Sequence, residues 1–115
     1  MKLLNLTLKK KWYDMIASGE KKEEYREIKP YWIKRFGYIH YVSQDPNDNG
    51  YHEEVMENLP DVIRFTNGYS KNSPSFCIEV DDWSVDKCRH PEWGGDTENR
   101  QFIFKLGHII TKAEL

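Results

Sequence analysis

The stretch Gly19-Glu20-Lys21-Lys22-Glu23-Glu24-Tyr25-Arg26 sets Lys21, Glu24 and Arg26 within a few residues of one another. An ammonium and a guanidinium so placed can hold a phosphate. A carboxylate beside them can accept a hydrogen bond from a base amino group or act as a general base. The same spacing also describes a charged edge strand guarded against aggregation, so residue type alone leaves both readings open. A second group, Tyr31, Trp32 and Tyr38 interleaved with Lys34 and Arg35, offers rings for base stacking beside cations for phosphates, or simply the packing face of a short helix. Metal chemistry is not expected. Cys77 with Cys88-Arg89-His90 matches no common zinc spacing, and His40, His52, His90 and His108 are scattered without a triad pattern. No cofactor is implied.

Positioning Lys21, Glu24 and Arg26 requires an element before them and one beneath them. Leu4, Leu6 and Leu8 alternate with Asn5 and Thr7, the period of a half-buried strand. Over 9–18 the period changes. Trp12, Met15 and Ile16 fall at i, i+3, i+4, which predicts a helix with Trp12 in the core and a stop at Gly19. A strand over 22–28 follows, with Lys22, Glu24, Arg26 and Ile28 on one face and Glu23, Tyr25 and Glu27 on the other. Pro30 opens a short helix that Gly37 stops, and 38–42 is strand-like. Residues 44–50 are loop, 51–59 an acidic helix with Val55 and Leu59 as its apolar pair, and 62–66 a strand ending at the Asn67-Gly68 turn. A long strand over 76–87 is expected to bulge near Asp81-Asp82. Arg89 to Asn99 is loop, with Trp93-Gly94-Gly95 either a lid or a plain connection. Residues 101–110 form a closing strand interrupted at Gly107. The expected core is Leu6, Ile63, Phe65, Ile78 and Ile103. Five to six strands with two to three short helices make an α+β protein built as a small mixed β-barrel.

The size and composition agree with one domain. At 115 residues the chain can bury a core without disulfides or metal, and 14% aromatic residues argue against disorder. The longest apolar runs fall well short of a membrane span, and the alternating N-terminal residues do not resemble a secretory signal, so a cytoplasmic protein with reduced thiols and no membrane partner is expected. Charge is divided unevenly. Residues 1–40 carry a net +5 and residues 41–115 a net −7. That asymmetry suits an anionic partner on one face, or a basic partner met by the acidic part.

Several of these stretches together resemble ASCH domains of the PUA-like superfamily. The run Leu6-Thr7-Leu8, then Lys11-Trp12-Tyr13, then Ile16 to Arg26 is similar to that family's opening strand and helix followed by G-x-K-x-x-E-x-R, with Gly19, Lys21, Glu24 and Arg26 on the motif positions. Residues 63–68, the strand around Glu79 and the close at 105–110 also fit, while 38–60 looks like an insertion into a single ASCH-like domain covering 1–115. The resemblance implies a small β-barrel with a cleft beside the first helix and a role in binding RNA or a nucleotide. The residue pattern above puts Lys21, Glu24 and Arg26 around that cleft, with Lys21 and Arg26 as its anion contacts and Trp32, Lys34 and Arg35 as further contacts. Some small bacterial members deacylate N4-acetylcytidine with a lysine, a threonine and a glutamate. By position these would be Lys21, Glu24 in the threonine's place, and Glu79. A carboxylate where the hydroxyl stood suits ligand binding or base catalysis better than covalent attack. Three readings follow: an RNA- or nucleotide-binding domain, an amidohydrolase of an N4-acylated cytidine nucleoside, and a protein-interaction module.

Overall fold

A computed structural model describes residues 1–47 and 50–110 of the chain. The leucine alternation becomes strand β1 (Leu3–Leu8), with Leu4, Leu6 and Leu8 all buried. The 3.6-residue stripe becomes helix α1 (Lys10–Ala17), capped at Ser18 before Gly19. Lys9 at its N-cap makes no side-chain cap, so this short helix depends on the contacts of its inner face. Ile16 is fully buried there, and the Tyr13 ring lies 5.0 Å from that of Phe76. Trp12, expected in the core, is only half-buried, because it stands at the open end of that face.

Strand β2 (Glu23–Arg26) is shorter than the expected 22–28. Helix α2 (Pro30–Phe36) begins on its proline and stops at Gly37. Strands β3 (Tyr38–Val42) and β4 (His52–Met56) then form an antiparallel ribbon, with Tyr38 opposite Met56 and Val42 opposite His52. The ribbon corrects the acidic helix expected over 51–59. Glu, Met and Leu favour a helix, but pairing with β3 satisfies the backbone of 52–56 and outweighs that weak preference. Of the expected loop 44–50, residues 48 and 49 lie outside the described residues, and the others are exposed and non-repetitive.

Strands β5 (Val62–Asn67), β6 (Ser75–Asp86) and β7 (Gln101–Ile110) complete the larger sheet, which has the order β1-β5-β6-β7-β2 and curls into a half-barrel. Only β1 and β5 run parallel, and α1 joins the two edge strands β1 and β2. The expected core residues Leu6, Ile63, Phe65, Ile78 and Ile103 are all buried in this sheet, joined by Phe102 and Phe104. The β6–β7 ladder is offset twice, between Ile78 and Val80 and again between Val80 and Asp82, close to the expected bulges at Gly107 and Asp81-Asp82. The protein is thus α+β, with seven strands among the described residues, the extra one being β4.

The chain divides into two compact units, Met1–Glu27 with Pro60–Leu115, and Ile28–Leu59. The first holds the half-barrel and α1. The second holds α2 and the β3–β4 ribbon and takes in most of the 38–60 stretch. Among the described residues no helix is long and apolar enough to cross a membrane.

Candidate functional site

Lys21 is drawn inward by its backbone. Its N–H donates to the Met15 carbonyl of α1 at 2.9 Å, which turns the side chain under the helix. The ammonium passes the rings of Tyr25 (4.5 Å to the centroid) and Trp12 (5.4 Å) and donates to the Trp93 carbonyl at 2.8 Å. Glu24 Oε1 lies 3.6 Å from Lys21 Nζ and 3.5 Å from Arg26 Nη1, and accepts the Tyr25 N–H at 2.9 Å. Lys21 and Glu24 are 2% and 5% exposed, so this is a buried ion cluster and not the solvated edge that spacing alone allowed. Glu24 Oε2, equally buried, has no hydrogen-bond partner among the described residues. Burial draws the Lys21 ammonium below the ordinary lysine value, and the neighbouring Glu24 carboxylate opposes that shift.

The loop after β6 forms the roof. A single 3-10 turn, Pro91–Trp93, sets the Trp93 carbonyl over Lys21, and the Trp93 ring stacks on His90 at 4.0 Å. The Cys88 thiol donates to the His90 carbonyl at 3.2 Å. Gly94 adopts φ +86°, and a Cβ there would meet the Trp12 ring at 2.7 Å. Gly95 is pressed as closely against Cys88 and Tyr25. Behind them the buried Gln101 amide accepts from the Asp96 N–H at 2.9 Å and donates to its carbonyl at 2.8 Å. The Asp96 carboxylate receives the N–H groups of Asn99 and Glu98, which hold it below the usual carboxylate range. Trp93-Gly94-Gly95 is therefore a fixed cover for Lys21 and more than a connection.

Two grooves flank this cluster. One, about 460 Å³, is lined by Thr7, Lys9, Trp12, Arg26 and Tyr69, the last 93% exposed. The other, about 540 Å³, runs past Ser18, Lys21, Glu79, Asp81 and His108. Lys21 and Glu79 both line it, but their charged ends are engaged separately: the Lys21 ammonium by Glu24 and Trp93, and the Glu79 carboxylate by His108 Nδ1 at 3.0 Å. Trp32, Lys34 and Arg35 sit on α2 in the second unit. Trp32 stacks on the buried Phe36 at 5.2 Å, and Lys34 and Arg35 are exposed in the last turn.

Lys21, Glu24 and Arg26 are thus brought together as their spacing suggested, and Glu79 shares only a groove wall with Lys21. Sequence reasoning placed Trp12 in the core, whereas its ring faces both Lys21 and the smaller groove. Its lysine-flanked position at the start of α1 was the signal. The Trp93 carbonyl carries no side-chain signature at all. Comparisons with protein-family models, with curated proteins and with solved structures find no match for this chain.

Proposed function

We propose that the protein is an ASCH-like domain that binds single-stranded RNA or a nucleotide in the groove between Trp12 and Arg26. The observation that carries this reading is the meeting of a half-buried indole, a guanidinium and the exposed Tyr69 ring in one groove, with Lys9 at its rim. Rings of this kind stack on bases of any sequence, and the two cations suit the backbone phosphates. Arg26 also reaches back to Glu24, so a phosphate on Arg26 would be felt by the buried cluster. The net positive charge of residues 1–40 favours the same polyanionic partner.

Fluorescence anisotropy with a short labelled single-stranded RNA tests the proposal. Affinity is expected to fall as salt rises, and Arg26→Gln to flatten the log–log salt slope by roughly 0.7, the share of one phosphate contact on a single strand. Trp12→Ala should cost about 1–3 kcal/mol, the worth of one stacked base. Wild-type affinity in both variants would end this reading.

A second reading moves to the larger groove, lined by Lys21 and Glu79, and adds turnover. A buried lysine drawn below its ordinary value, next to a carboxylate with a spare oxygen, suits polarisation of the amide of an N4-acylated cytidine. Incubation with a panel of acylated nucleosides, followed by chromatography, separates the two. Turnover abolished by Glu24→Gln and by Glu79→Gln would establish the hydrolase, and no release of product above buffer leaves the binding domain.

A further inference from the structure

In the β3–β4 ribbon, His40 stands directly opposite Glu54, and His52 lies two residues before Glu54 on the same strand. The two-residue period of a strand therefore puts all three side chains on one face, with His52 diagonal to His40. His40 Nε2 and His52 Nδ1 are 3.3 Å apart, and one ligand atom from each of His40, His52 and Glu54 falls within 4.8 Å of the others. A tetrahedral zinc ion with nitrogen ligands at about 2.0–2.1 Å separates those nitrogens by about 3.3 Å. The histidine pair thus already has the spacing of two ligands on one metal. The Tyr38 hydroxyl donates to Glu54 Oε2 at 3.2 Å, which orients the carboxylate beside the two rings.

We infer that His40, His52 and Glu54 form a cross-strand site for a divalent transition-metal ion, of which zinc is the type. Two imidazoles and one carboxylate suit zinc, nickel or copper and disfavour calcium and magnesium, which take oxygen ligands. Three protein ligands leave a fourth position for water. Among the described residues, His90 with Glu92 and His108 with Glu79 also pair a ring with a carboxylate but form no group of three donors, and both cysteines are buried. The ion would act as a clip. A two-stranded ribbon is marginal by itself, and a ligand that binds only the paired strands stabilises the pairing.

Titration calorimetry of the whole protein with zinc chloride in chelator-free buffer is the test. One ion per chain is expected to bind with a Kd in the micromolar range or tighter. His40→Ala and His52→Ala should each weaken binding by at least about a hundredfold, and Tyr38→Phe, which removes the hydroxyl that supports Glu54, by about tenfold. In the wild type, zinc should shift the ring NMR signals of His40 and His52 ahead of those of His90 and His108, a readout that does not depend on any variant folding. Zinc binding at unchanged affinity to the His40→Ala, His52→Ala double variant would overturn the assignment. So would ring shifts confined to His90 or His108, or the absence of measurable binding by the wild type.

Discussion

Lys21→Met is expected to lower the free energy of unfolding by about 3 kcal/mol, the low end of the cost of breaking a buried ion pair. The loss comes from what is left behind. Among the described residues Glu24, 5% exposed, keeps Arg26 and the Tyr25 N–H, and the Trp93 carbonyl loses the Lys21 ammonium. A second substitution, Glu24→Gln on the Lys21→Met background, should therefore restore part of the stability, whereas two independent losses would add. Urea denaturation of the four proteins in this cycle measures the coupling. Strict additivity would mean that Lys21 and Glu24 are neighbours without being partners.

The same cycle has a pH signature. Burial lowers the Lys21 value in the folded protein, with Glu24 pulling the other way, so the folded chain sheds this proton before the unfolded chain does. In the window between that lowered value and the ordinary lysine value of about 10.4, the unfolded state holds more protons and stability rises with pH. The advantage of wild type over Lys21→Met should widen across that window. A difference independent of pH there would contradict the burial of a charged ammonium.

Gly94→Ala is expected to cost about 2–4 kcal/mol, from the positive φ that a Cβ disfavours and from its collision with the Trp12 ring. The damage should be local at first. Displacing the turn Pro91–Trp93 removes the carbonyl from Lys21, so amide hydrogens of the 88–101 loop should exchange faster than those of β6 and β7. In a Trp12→Leu background the collision is relieved and only the conformational part of the penalty should remain. An equal penalty in both backgrounds would show that Trp12 does not seat the loop.

The cluster was legible in sequence because Lys21, Glu24 and Arg26 are neighbours along the chain, where helix end and strand start fix their geometry locally. Part of the half-barrel was legible for a similar reason: alternation in 3–8 marks the core face of β1, and the apolar runs in 62–66 and 101–110 mark strands of the core without an alternating face. What was lost depends on distant partners. The 51–59 segment shows helix-forming residues, and only register with β3 reveals that His52 and Glu54 share a face with His40. That error also hid the metal-ligand spacing, since the histidines look unrelated until the strands pair. The Trp93 carbonyl, 72 residues from Lys21, is a backbone atom and leaves no trace in residue type.

The two offsets in the β6–β7 ladder have opposite sense. Between Ile78 and Val80, β7 carries the extra residue, with Gly107 and His108 facing Glu79; between Val80 and Asp82, β6 carries it, at Asp81. One cancels the other, so Asp82 to Asp86 meet Lys105 to Gln101 in the phase that Cys77 and Ile78 keep with Ile110 and Ile109. Inside and outside stay assigned to the same residues on either side. The larger groove, lined by Glu79, Asp81, Gly107 and His108, is therefore a blister in the sheet that leaves no memory downstream. Across it the hydrophobic addresses of Phe102, Ile103 and Phe104 stay where they are.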